Sequence, residues 1–147
     1  MTRVKVCGIT NLEDAWVATE AGADALGFVF VPNTPRYIEP DHANAIMRQI
    51  PPLVVTIGLF ADADSAQIQE VATNCRLDAI QLHGNEPPEL CHSLNLRVIK
   101  AFRVKGNETL NILPKFQVDA YLLDAYVKGK LGGTGETFDW NLACRAK

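Results

Sequence analysis

Three short apolar segments end in side chains that can handle protons. Lys5 and Cys7 alternate with Val4 and Val6. Gln81 and His83 alternate with Ile80 and Leu82, and Leu122 and Asp124 alternate with Tyr121 and Leu123. In an extended strand, residues two apart share a face. Each segment therefore collects its polar groups on one side, near its C-terminal end. A thiol, an imidazole and a carboxyl can give or take a proton, and an ammonium near a thiol favours the reactive thiolate. No grouping of His, Cys and carboxylates has the spacing of a metal site, so no metal is expected. His42 and His92 fall on helical segments and read as surface residues.

These residues need a scaffold that brings the strand ends together. Six apolar runs recur, at Arg3–Ile9, Ala25–Val31, Leu53–Phe60, Asp78–His83, Arg97–Phe102 and Asp119–Asp124. Their centres lie about 23 residues apart, and helix signals fill the gaps. Thr10 to Glu13 reads as a capping box, followed by Leu12, Ala15, Trp16 and Thr19 at helical spacing, with a stop at Gly22. Asp41 to Ile50 is helical and ends before Pro51-Pro52. Ser65, Ile68, Val71 and Ala72 make another stripe. Pro87-Pro88-Glu89 begins a short helix with Leu90 and Leu94 inward. Glu108 to Leu113 is shorter still, and Asp139 caps a last helix through Arg145. Alternation of this kind builds a parallel sheet in an α/β fold.

An open doubly wound sheet and a (β/α) barrel of TIM type both satisfy the pattern. Parity favours the barrel. An open sheet would bury the polar faces of all three strands under helices, whereas a barrel directs them into its mouth, where such folds place active sites. The expectation is one domain over residues 1–147, carrying six of the eight βα units of a (βα)8 barrel, and hence open or incomplete. Two more units would bring the chain to roughly 194 residues, near the lower end for the fold.

Charge is nearly balanced, with 14 Lys+Arg against 17 Asp+Glu and a formal net charge of −3. No basic stripe is present to neutralise phosphates, so a nucleic-acid partner is not expected. The composition, 48% hydrophobic and 21% charged, is that of a globular protein. The longest apolar stretches fall far short of the roughly 18 residues a membrane helix needs, and no signal-peptide pattern is seen. Cys7, Cys75, Cys91 and Cys144 show no zinc, redox or disulfide-framework spacing. Reduced thiols in a cytoplasmic protein are expected, with Cys75, Cys91 and Cys144 buried. The Gly132–Gly135 segment tempts a nucleotide-loop reading, but Glu136 stands where a phosphate-loop Lys belongs. It reads either as a plain loop or as a mobile flap over a site.

Six strings in register carry a resemblance. They are Lys5-Val6-Cys7-Gly8-Ile9-Thr10, Gly27-Phe28-Val29-Phe30, Thr34-Pro35-Arg36, Gln81-Leu82-His83-Gly84, Leu123-Asp124, and Gly132-Gly133-Thr134-Gly135 with Phe138-Asp139-Trp140. Together they resemble phosphoribosylanthranilate isomerase over essentially the whole chain. The resemblance implies a small (βα)8 barrel of tryptophan biosynthesis that uses no metal or organic cofactor. The reaction implied is an Amadori rearrangement of N-(5-phosphoribosyl)anthranilate to 1-(2-carboxyphenylamino)-1-deoxyribulose 5-phosphate. It implies Cys7 as general base, Asp124 as general acid, and Arg36 as the anchor of the anthranilate carboxylate. Lys5, Gln81, His83, Gly84, Gly132 and Gly133 are implied as substrate-binding. Gly84 suits a close backbone approach.

The partner expected is a phosphorylated small molecule, with no nucleic acid and no membrane. In such barrels the substrate phosphate sits on loops after strands 7 and 8, which would follow Lys147. Free edges on strands 1 and 6 and apolar interior facing water would give marginal stability and self-association. One alternative is a non-catalytic truncated fragment or folding module, inactive for want of strands 7 and 8. A sugar-phosphate epimerase is a more distant one, because it would need metal-binding His and carboxylates.

Overall fold

Val, Ile, Leu and Phe crowd the six apolar runs because the strands they form are covered on both faces. The computed structural model describes residues 2–127 and 135–146. Its strands are β1 (Lys5–Cys7), β2 (Ala25–Val29), β3 (Val55–Phe60), β4 (Ala79–Leu82), β5 (Arg97–Val104) and β6 (Ala120–Ala125). Its helices are α1 (Leu12–Glu20), α2 (Pro40–Met47), α3 (Ser65–Cys75), α4 (Pro88–Ser93), α5 (Asn107–Ile112) and α6 (Trp140–Arg145). All strand pairs are parallel, and the order across the sheet is the order along the chain. A doubly wound sheet reverses its strand order at a switch point. This one does not, so the barrel topology holds.

The sheet curls. Lys5 on β1 hydrogen-bonds Gln81 on β4, three strands away. Three inter-strand steps on a flat sheet span about 14 Å. Only a concave face brings two such side chains readily together. Among the described residues β1 pairs with β2 alone and β6 with β5 alone, so the sheet is an open arc of a TIM-type barrel.

Two apolar layers hold the arc. Outside it, Leu26, Phe28, Phe60, Ile80, Leu82 and Val98 pack against Ala15, Ala18, Ala43, Ile46, Ile68 and Ala72 of the helices. Inside it, Ala25, Ile57 and Ala79 are buried, with Val55 and Ile99 packed on them. Leu59 and Leu122 on the same face are also only partly buried, so the interior apolar surface faces water in part, as expected. The most exposed apolar groups at the edges lie on the outer, helix-bearing face: Val4, just before β1, is 50% exposed, Val6 on β1 37%, and Tyr121 on β6 38%.

The N-terminal rim is latched by a device that recurs at every second strand. Asp24, Asp78 and Asp119 each stand one residue before an even-numbered strand that opens with Ala. Each carboxylate accepts a backbone N–H from the preceding odd strand or its lead-in: Val4 at 2.8 Å, Thr56 at 2.7 Å and Val98 at 2.8 Å. The Val4 N–H, with Arg3 beside it, holds the Asp24 carboxyl below its ordinary pKa.

Helix starts follow local chemistry, with one shift from expectation. Asn11, not Thr10, is the cap of α1, and its side chain accepts the Asp14 N–H at 2.8 Å. Asn caps at least as well as Thr, and it sits where the chain turns helical. Asp139 caps α6 as expected. The four cysteines are unpaired; Cys75 and Cys91 are buried, but Cys144 is exposed because the short α6 buries none of its residues.

Candidate active site

The C-terminal rim gathers the proton-handling residues. Cys7 ends β1 on the concave face, exposed and directly over Gly27 of β2. A Cβ on Gly27 would lie 2.7 Å from the Cys7 Sγ, so only glycine leaves room for the thiol there. Gly8 follows with φ +89°, a conformation side chains rarely adopt, and turns the chain out of the strand. The aliphatic stem of Arg36 lies on that glycine, its Cγ 3.1 Å from where a Cβ would stand. The loop carrying Arg36 is pinned by Ile38 N–H donating to the Val29 carbonyl at 3.0 Å and Thr34 Oγ1 to that of Val31 at 2.8 Å. Arg36 and Cys7 are thus neighbours through Gly8, and the Arg36 side chain is exposed.

A hydrogen-bonded row crosses the concave face opposite. Lys5 donates to Gln81 Oε1. Gln81 Nε2 stands 3.0 Å from His83 Nδ1, and His83 Nε2 stands 3.2 Å from Asp124 Oδ2. Gln81 is fully buried; the His83 and Asp124 side chains are 12% and 22% exposed. Burial pushes the His83 imidazole below its ordinary pKa. The Asp124 charge opposes that shift, and the positive charges of Lys100 and Lys5 reinforce it.

Behind the row is a frame that sequence reasoning missed. Gly84 passes so close to Asp62 that a Cβ would lie 2.5 Å from its carboxylate. Glu86 Oε1 accepts the Gly84 N–H at 3.0 Å and the Asp62 N–H at 2.9 Å, and Asp62 accepts the Asn85 N–H at 2.7 Å. The other Glu86 oxygen pairs with Lys100 at 3.0 Å, both side chains being almost wholly buried. Lys100 also donates to the carbonyls of Gly84 at 2.9 Å and Ala101 at 3.0 Å. This clamp joins the loops after β3 and β4 to β5 and so holds the segment bearing His83. The signal was available: Lys100 has the parity of Val98 and Phe102, which puts a charge on a helix-covered face.

The remaining expectations fall as follows. Gly132 and Gly133 lie outside the described residues. His42 and His92 are exposed on α2 and α4. Among the described residues no three His, Cys, Asp or Glu side chains are grouped to hold a metal ion. No helix among them is long and apolar enough to cross a membrane. A cavity of about 490 Å³ opens between β5 and α5, lined by Gly84, Lys100, Arg103, Lys105 and Thr109 among others. It adjoins the rim at Gly84 but includes none of Cys7, His83 and Asp124.

Comparison with known proteins places this geometry. Residues 4–145 match the family model described as N-(5'phosphoribosyl)anthranilate (PRA) isomerase. The N-(5'-phosphoribosyl)anthranilate isomerase of Geobacter sp. (strain M21) is 56% identical over all 147 residues, which cover 72% of its length. That of Geobacter sulfurreducens is 54% identical with the same coverage. The crystal structure of the Thermotoga maritima enzyme superposes with a TM-score of 0.86 at 44% identity, over 97% of this chain and 70% of that one. A crystal structure of a phosphoribosyl anthranilate isomerase in complex with reduced 1-(o-carboxyphenylamino)-1-deoxyribulose 5-phosphate gives a TM-score of 0.83 at 42% identity, over 99% of this chain and 70% of that one. With its open arc of six strands, its polar C-terminal rim and these matches along its whole length, the chain belongs to the phosphoribosylanthranilate isomerase family, enzymes of tryptophan biosynthesis.

Proposed function

We propose that this chain supplies the proton-transfer half of the isomerase site, with Cys7 as general base and Asp124 as general acid. Turning the aminoaldose into the aminoketose requires the sugar ring to open and a proton to leave C2′. An acid near the ring oxygen and a base near C2′ meet those needs. The observation that carries the reading is the gathering of both groups at the C-terminal rim of the arc, Cys7 over Gly27 and Asp124 against His83. In such barrels that rim is the active end. The carboxylate of the anthranilate ring suits the Arg36 guanidinium, which offers two parallel N–H donors. Arg36→Ala should raise KM by about tenfold or more with a smaller change in kcat, as loss of a charged hydrogen bond of about 1.5–3 kcal/mol implies. An unchanged KM removes the role.

The 147 residues span 72% of the length of a relative, and a second reading is a folding module without turnover. A fluorescence assay following loss of phosphoribosylanthranilate by the 147-residue polypeptide separates the two. The edges of β1 and β6, unpaired among the described residues, with Val4 and Val6 exposed beside the first, also favour pairing between copies. Sedimentation at micromolar concentration should show dimers or larger species; a single monomer boundary refutes this. The unpaired thiols suit a cytoplasmic setting.

A further inference from the structure

We infer that Lys5 and Gln81 act on the reaction through His83, by fixing which ring nitrogen carries a proton and hence which oxygen of Asp124 delivers one. The inference rests on Asp124 as the acid. Its logic is that of donors and acceptors. An ammonium has three protons and no lone pair, so the Gln81 atom facing Lys5 must be the amide oxygen. The other end of that amide is then the NH2 group, and at 3.0 Å it donates to His83 Nδ1. Nδ1 must present its lone pair. The single proton of the neutral ring therefore sits on Nε2, 3.2 Å from Asp124 Oδ2, and is donated to it.

The same row resists a second proton on the ring. An imidazolium would turn an N–H from Nδ1 toward the Gln81 NH2. Turning the amide over would then set that NH2 against the Lys5 ammonium. Either arrangement leaves two donors face to face in a buried place. Asp124 on β6 favours the imidazolium, Lys100 on β5 and Lys5 on β1 oppose it, and the Glu86 and Asp62 carboxylates at the adjoining Gly84 are engaged by Lys100 and backbone N–H groups.

Neutrality matters to the acid. A full positive charge against Asp124 would hold its carboxyl ionised and leave no proton to give. A neutral N–H on Oδ2 directs that proton to Oδ1. As the proton leaves Oδ1, negative charge grows on the carboxylate and the N–H bond to Oδ2 strengthens. Lys5 and Gln81 are thus positioning residues, whose effect reaches the reacting atoms through His83.

The test is nitrogen-15 NMR of the histidine rings in the 147-residue chain, and it needs no turnover. The exposed His42 and His92 serve as references. His83 should show the Nε2–H tautomer at pH 7 and titrate below both references. In Gln81→Glu the new carboxylate can accept from Nδ1–H, and the His83 midpoint should rise by about one pH unit or more. Lys5→Met frees the amide to turn its oxygen toward Nδ1–H, which gives both ring nitrogens an acceptor, so the His83 midpoint should rise here too. Lys5→Arg, also donor-only, should restore the parent spectrum. A charged or Nδ1–H His83 in the parent chain overturns the inference. So does a Gln81→Glu or Lys5→Met midpoint that stays put. If instead the spectra behave as stated while Asp124→Asn leaves turnover intact in an active protein, the acid assignment fails and the tautomer control stands.

Discussion

Cys7→Ala should lower kcat by about 10²–10⁴-fold with KM nearly unchanged, the range a positioned general base contributes. The measurement is best made on this chain joined to the remaining segment of a relative, since it covers 72% of their length. The substitution isolates chemistry because it disturbs little else. Cys7 is exposed, and its neighbour on β2 is a glycine, so removal of the sulfur opens no packed cavity. Stability should change by only about 0.5 kcal/mol, as for most exposed positions. The reverse change reaches the same end by geometry. In Gly27→Ala the new methyl would stand 2.7 Å from Sγ and must push the thiol aside. Both variants should therefore lose turnover; Cys7→Ala folds normally, whereas the methyl of Gly27→Ala also crowds the Cys7 Cα at 3.2 Å. A Cys7→Ala protein with full turnover would exclude the thiol as base.

Lys100→Met should cost about 3–5 kcal/mol of folding stability, the range for stripping one partner from a buried ion pair. Glu86 is 4% exposed and would be left with nothing opposite Oε2. Against the roughly 5–15 kcal/mol that holds a typical domain together, such a loss removes a large share of the stability. Urea unfolding midpoints measure it directly. Replacing both partners by apolar residues often recovers stability elsewhere. Here Lys100→Met combined with Glu86→Leu should remain well below the parent, because Gly84 and Asp62 would lose the acceptor of their N–H groups. A Lys100→Met chain within about 1 kcal/mol of the parent would mean that the clamp is dispensable.

Strand alternation was legible because its period of two admits no ambiguity. Lys5 with Cys7, Gln81 with His83, and Asp124 with Leu122 share the concave face as that period requires. The barrel topology followed from parity and not from the repeat, which an open doubly wound sheet satisfies equally. What stayed hidden depended on curvature and depth. Nothing in the alternation of β1 says that Lys5 meets Gln81, because that contact exists only once the sheet has curled. The Glu86–Lys100 pair stayed hidden for a related reason. A Lys in an apolar run reads as an interruption until the partner from the next loop is in view. The cap of α1 moved one residue, from Thr10 to Asn11, because both residues can cap and the local pattern does not choose between them. Cys144 was misjudged because burial was inferred from residue type, whereas α6 packs too little against the arc to cover it.

The aspartates that latch the N-terminal rim bear on how such a chain is made. Asp24 belongs to the second strand but holds Val4 ahead of the first; Asp78 does the same for Thr56 of the third, and Asp119 for Val98 of the fifth. Two strands with their helix thus form a unit that carries its own fastener, and three units in succession make the arc. Synthesis proceeds from the N-terminus, and every strand pairs with one already made. A nascent chain can therefore lay the sheet down two strands at a time, through short-range contacts of the kind that fold fast. In a closed eight-stranded barrel only the pairing of first with last strand spans the whole sequence. Closure at the edge of β1, which is open among the described residues, would be that single slow event.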